Sequence, residues 1–285
     1  MSNKKFILNA DDFGMSEAFN RAVLEGYFEG LLKSASIAAN GNAFAEAITE
    51  IIPQCPDLGV GIHLNILEGK SICTDLKTLT NEEGFFNQSY IQLLIKSYNP
   101  KETDFLAEVE REFRRQIEKV MSKTSVTHID SHVHVHSIPR IFDIVCRLAK
   151  EYGIKQVRTQ FEKPYLIPDL YKHLNKTFFV NLIKVALLDT FTVFNEATAH
   201  KYGLKTNDYL IGVSYTSMMD ALSVAYGAMA INMDKVVVEA LIHPCRYKDG
   251  TIDNHFTEYL ITKNKKLKNK IEKLGFEITN YVEKD

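Results

Sequence analysis

Four short stretches carry side chains that core packing does not require. The first is Asn9-Ala10-Asp11-Asp12-Phe13-Gly14, directly after the apolar run Phe6-Ile7-Leu8. Neighbouring strand residues point to opposite faces, so Asp11 and Asp12 reach one site only if the backbone turns there, which Gly14 permits. One carboxylate would then bind a metal while the other accepts a proton. The bland alternative is a helix cap, a role that Ser16 and Glu17 already fill. The second stretch is Gly59-Val60-Gly61-Ile62-His63-Leu64-Asn65, in which His63 is the polar exception. A strand histidine standing alone is more often a hydrogen-bonded core residue than a ligand. The two glycines fall short of a phosphate-binding loop.

The third stretch, Thr127-His128-Ile129-Asp130-Ser131-His132-Val133-His134-Val135-His136, is the richest. Read as a strand, it puts His128, Asp130, His132, His134 and His136 on one face and apolar residues on the other. Burying these imidazoles without a metal or charge partner would cost about 1 to 3 kcal/mol for each unsatisfied group. Residues two apart on a strand are roughly 6.5 to 7 Å apart, so one ion takes about two of these side chains and the rest face substrate or support the ligands. The fourth stretch is Leu241-Ile242-His243-Pro244, where the proline ends an apolar strand and holds His243 at its tip. Arg158 also lies at a strand end and suits a carboxylate partner. An aspartate, two strand histidines and an open coordination position make a hydrolytic metal centre, in which a further carboxylate and a separate histidine serve as base and acid.

These stretches need a scaffold that brings strand ends together. Strands are expected at 5–10, 34–39, 58–66, 126–135, 156–159, 209–215, 235–243 and 276–281. Helices are expected at 16–30, 43–52, 102–121, 141–152, 218–231 and 256–274. This alternation predicts a parallel α/β fold, a TIM-like (β/α) barrel of seven or eight strands or an incompletely closed one, whose site lies at the strand C-termini. No linker or repeat divides the chain, so residues 1–285 read as one domain. Residues 161–204 break the rhythm and read as an insertion, suited to a lid or a homodimer contact.

The 285 residues include 34 Lys+Arg against 36 Asp+Glu, a net charge of -2 that offers nucleic acid and acidic membranes no general attraction. The Lys-rich run at 263–273 has apolar residues at helical spacing (Leu260, Leu267, Ile271, Leu274), which marks a solvated helix face. The amino terminus lacks the pattern of a signal peptide. No window reads as a membrane span, since even 178–193 contains Asn181, Lys184 and Asp189. A cytoplasmic protein with reduced cysteines is expected.

Taken together, Asn-Ala-Asp-Asp-Phe-Gly, Gly-Ile-His-Leu, the histidine tract and the late His-Pro resemble the YdjC-like carbohydrate deacetylases, which include chitooligosaccharide deacetylases. The order and spacing match over most of the chain. The resemblance implies one divalent metal ion, magnesium or zinc, and removal of acetyl from an N-acetylated amino sugar, a small oligosaccharide or its phosphate. It implies that Asp12, His63 and His132 hold the metal, that Asp11 is the base, that His243 protonates the departing amine and that Arg158 orients the base. His134 and His136 would then face the substrate. Two competing readings are an amidohydrolase or metal phosphoesterase on a similar barrel, and a sugar-binding protein without catalysis. The first usually carries its His-x-His near the first strand, and the second needs neither acid nor base.

Overall fold

The structure is a computed structural model and describes residues 4–168 and 170–282. Seven strands form one sheet: β1 Lys4–Phe13, β2 Ser34–Ile37, β3 Gly59–Leu64, β4 Ile129–Ser131, β5 Tyr209–Ile211, β6 Val236–Ile242 and β7 Phe276–Thr279. All pairings are parallel, in the order β4-β3-β2-β1-β6-β5, and β7 lies along the first half of β1. Every residue of β3 is buried, as expected of a parallel strand covered on both faces.

The sheet curls, and between β4 and β5 only isolated bridges continue it, Ile129 to Val157 and Gln156 to Lys205. The result is an incompletely closed TIM-like barrel. Helices cover its outside. The helix Phe105–Met121 turns Phe105, Val109, Phe113, Ile117 and Val120 inward at spacings of three and four, so a single apolar stripe docks it.

Several elements depart from the sequence expectations. The strand expected at 126–135 is only Ile129–Ser131, because Val133 and His134 take left-handed conformations at φ 50° and φ 58° and turn the chain. A ladder cannot run through such residues, so the tract does not present its histidines on one face. The segment 156–159 makes bridges without becoming a full strand, and the strand expected at 209–215 ends at Ile211. The tail helix is two helices, Asn254–Thr262 and Lys265–Lys273, divided where Asn264 caps the second by accepting from Leu267 N. Leu267 and Ile271 are buried, but Leu260 faces solvent. The sequence reading also missed the helix Tyr90–Tyr98.

Residues 161–204 contain the 26-residue helix Lys176–Lys201. By length and composition alone this helix is long and apolar enough to cross a membrane, although Asn181, Lys184 and Asp189 interrupt its apolar run as the sequence showed. Its inner face is stitched to the loops that follow the strands. Asn181 donates to Ser214 O and Thr216 O, Asn195 donates to Ser137 O, and Thr192 Oγ1 accepts from Gln160 N. Phe178, Leu188 and Ala199 are buried between these polar contacts.

Candidate active site

Asp11 and Asp12 both reach the site because the strand breaks register beneath them. The β1–β2 ladder shifts between Ala10 and Phe13, Asp12 itself sits at φ 63°, and Gly14 follows at φ 84°. The turn inferred from Gly14 thus begins at Asp12, whose short polar side chain tolerates a left-handed backbone. Asp12 Oδ1 lies 2.8 Å from His132 Nδ1 and 3.2 Å from His63 Nε2. One ligand atom each from Asp12, His63 and His132 can be chosen within 4.8 Å of one another, from three buried residues on β1, β3 and the turn after β4.

His63 is held from behind. Asp130 Oδ1 lies 2.7 Å from its Nδ1, so in the neutral ring that a metal ligand requires, the proton sits on Nδ1 and Nε2 turns its lone pair toward Asp12. Burial opposes charge on His63, yet Asp130 and Asp12 outweigh it and push its pKa to about 10. His132 is likewise pushed up to about 9, where Asp12 and Glu68 overcome burial. Burial raises the pKa of Asp12, but the two histidines hold it well below the usual carboxylate range. The buried His63 Nε2 has no hydrogen-bond partner among the described residues, and the set of one carboxylate and two imidazoles is one that a divalent cation such as zinc accepts. The residues fit a metal ion.

Asp11 is clamped instead of caged. Arg158 Nη1 donates to its Oδ2 and Arg158 Nη2 to its Oδ1, both at 2.7 Å, a bidentate pair with each partner almost fully buried. Arg158 also pairs with Asp130 at 2.6 Å and donates from Nε to Glu239 at 2.9 Å. Asn9 Nδ2 donates to Asp11 and Ser36 Oγ to Asp130, both at 2.7 Å, which closes the network.

His243 lies at the C-terminal end of β6, with its side chain 23% exposed. Glu258, buried on the helix Asn254–Thr262, accepts from the His243 backbone N–H and places Oε2 3.4 Å from His243 Nδ1. Burial opposes charge on His243, but Glu258 outweighs it and raises the pKa above the ordinary histidine value.

The remaining histidines of the tract part company. His136 has no exposed surface; its backbone N–H and Nδ1 meet Ser131 Oγ, and its Nε2 lies 3.0 Å from Arg158 O and 2.9 Å from the Gln160 amide. It is part of the floor beneath the site, out of reach of a substrate. His128 is also buried, stacked on Tyr281 at 4.3 Å, and burial lowers its pKa to about 4. A Cβ at Gly61 would come within 2.3 Å of the His128 ring, so that glycine exists to admit the ring. His134 is 5% exposed and its Nδ1 lacks a hydrogen-bond partner among the described residues. Burial and the charges of Lys184 and Arg158 hold its pKa well below the usual value, so it stays neutral.

Sequence reasoning missed the partners. Glu239 is a lone charge within the apolar strand β6, the same signal that marked His63, and could have been found that way. Glu258 lies on an amphipathic surface helix and gave no such signal.

The sequence pattern of the YdjC-like protein family matches residues 5–273. A carbohydrate deacetylase of Clostridium beijerinckii is 38% identical over 151 residues, which is 53% of this chain and 58% of that protein. One from Brevibacillus brevis is 40% identical over 151 residues, 53% of this chain and 57% of that protein. The matched stretch is therefore under two thirds of these relatives' length. A crystal structure from Enterococcus faecalis, whose own description provisionally assigns it to cellobiose-phosphate cleavage, superposes with a TM-score of 0.70 at 22% identity over 98% of both chains, a likeness of fold. With the family pattern running through all four motif stretches, the chain belongs to the YdjC-like protein family.

Proposed function

We propose that this chain is a metal-dependent carbohydrate N-deacetylase that removes acetyl from a small N-acetylated amino sugar, a chitooligosaccharide or its phosphate. The observation that carries the reading is the buried Asp12–His63–His132 cluster with Asp11 and His243 on separate supports beside it. The carbohydrate deacetylases among its relatives support the substrate class.

Asp12, His63 and His132 would hold the ion, magnesium or zinc. When bound, it would acidify a coordinated water and polarise the acetyl carbonyl. Asp11 accepts the proton of the attacking water. Its Oδ2 takes one hydrogen bond, from Arg158 Nη1, among those seen for the described residues, which leaves a lone pair for that proton. Arg158 fixes the carboxylate plane through both oxygens and so acts as a positioning residue. His243, whose proton affinity Glu258 raises, gives its proton to the amine nitrogen as the C–N bond breaks. His134, neutral and 5% exposed, is proposed to face the sugar with the accessible part of its ring, since its unpaired Nδ1 is enclosed by protein. Residues 161–204 are proposed as an insertion in a single domain, closing one side of the mouth.

The test is acetate release from N-acetylated chitobiose by the full chain, with and without added divalent metal, beside a panel of phosphate esters. Metal-dependent acetate release is expected. Phosphate release with no acetate would overturn the reading in favour of a metal phosphoesterase.

A further inference from the structure

We infer that the outer face of the helix Lys176–Lys201 is a self-association surface, on which a second copy of this chain docks its own helix antiparallel about a two-fold axis.

The helix has two faces with opposite character. The inner one is hydrogen-bonded to the barrel rim, as described above. The outer one exposes Phe179 (58%), Ile183 (73%), Val193 (68%) and Phe194 (61%), with Val180 and Leu182 beside them. Soluble monomers rarely leave such a contiguous apolar patch open.

The spacing points to a helix as the occupant. Phe179, Ile183, Ala186, Thr190, Val193 and Ala197 follow one another at alternating steps of four and three, and all six are exposed. That is the 3.5-residue period of a seam that packs against another helix. No charge interrupts it.

The same seam is its own complement when reversed. An antiparallel two-fold between Ala186 and Thr190 sets Phe179 of one copy against Ala197 of the other, Ile183 against Val193 and Ala186 against Thr190, while Leu182 meets Phe194 at the flank. Large residues face small ones at the ends, and small residues at the centre let the backbones approach.

The area is sufficient. Taking about 150 to 250 Å² for a large aromatic and somewhat less for Val, Leu and Ile, the six large apolar side chains expose roughly 600 Å² per copy. Two copies would bury on the order of 1,200 Å², the lower bound of stable specific interfaces.

A lipid surface fits less well. A helix lying in a bilayer surface carries its cations along the boundary of the apolar face, whereas the mid-helix Lys184 is half-buried and close enough to His134 and Glu162 to act on both.

The test is sedimentation velocity on the full chain, where a species of twice 32.5 kDa is expected. Ile183→Glu should halve that mass and leave the far-UV circular dichroism of the folded chain unchanged, since the side chain is exposed in the single chain. Mild oxidation should cross-link the Ile183→Cys/Val193→Cys double variant, in which the two thiols face each other across the two-fold, and neither single variant. A monomeric wild type overturns the inference, as does a dimer that survives Ile183→Glu. Efficient cross-linking of Ile183→Cys alone would show parallel pairing and overturn it as well. So would a monomer that sediments with anionic lipid vesicles through this face.

Discussion

Glu258 touches His243 twice, at its backbone N–H and near its ring, and this sets the acidity of the proposed acid. An acid that must be protonated works below its pKa, so the rate falls as pH rises through the raised value of His243. Glu258→Gln removes the charge that raises it. The falling alkaline limb of kcat/KM should therefore move to lower pH, and an unmoved limb would mean that Glu258 has no electrostatic hold on His243. The metal ligands separate from the acid and base by a different measurement. Asp12→Ala should lose bound metal by elemental analysis. Asp11→Asn and His243→Ala should keep it while kcat falls on the order of 10²-fold or more. Near-normal turnover in His243→Ala would make His243 a strand-end residue with no proton to give.

At the scale of elements, two connections carry unusual loads. The turn after β4 holds Val133 at φ 50°, ψ 24°, a left-handed conformation that costs a side-chain-bearing residue about 1 to 2 kcal/mol. Val133 is 41% exposed, so little packing is lost on replacement. Asparagine tolerates this backbone better, and Val133→Asn should stabilise the fold by about 1 kcal/mol, a rise of ~2–4 °C in Tm for a chain of this size. An unchanged or lower Tm in calorimetry would refute the strain. The second connection is Glu162, fully buried, whose carboxylate accepts from Gly212 N and Ser214 N and so joins the inserted segment to the end of β5. Burial pushes its pKa from 4.5 up to about 7 against those hydrogen bonds. The folded state thus holds a proton that the unfolded chain releases near pH 4.5. Its stabilisation is complete below that pH and is lost as pH rises through 7, on the order of 3 kcal/mol at most. Glu162→Gln should flatten denaturant-measured stability across this window; a slope equal to wild type would assign it elsewhere.

For the whole molecule, the proposed metal links strands distant in sequence, since Asp12, His63 and His132 come from β1, β3 and the turn after β4. The unfolded chain has no such cluster, so an ion binds the folded state preferentially and stabilises it by mass action, about 2.7 kcal/mol at a hundredfold excess over Kd. Added zinc or magnesium should raise Tm in wild type and in His243→Ala, and should leave Asp12→Ala unmoved. A rise of equal size in Asp12→Ala would place the ion elsewhere.

The motif residues were legible because a parallel barrel gathers its chemistry at strand C-termini, and an apolar strand makes any polar exception conspicuous. Asp11, Asp12, His63 and His243 were visible on those grounds, and the alternation of elements already implied a curled parallel sheet. The histidine tract shows where that logic stops. Period-two reading grouped His128, His132, His134 and His136, but the left-handed pair Val133 and His134 ended the strand and sent the four rings to different places. No local residue type announces that turn, since valine is among the least suited to it. The partners Asp130, Glu239 and Glu258, the half-closed ring between β4 and β5, and the way residues 176–201 lie across the rim depended on tertiary structure. Their roles arise from approach through space between residues far apart in the chain, and a spacing rule along the sequence carries no information about such approach.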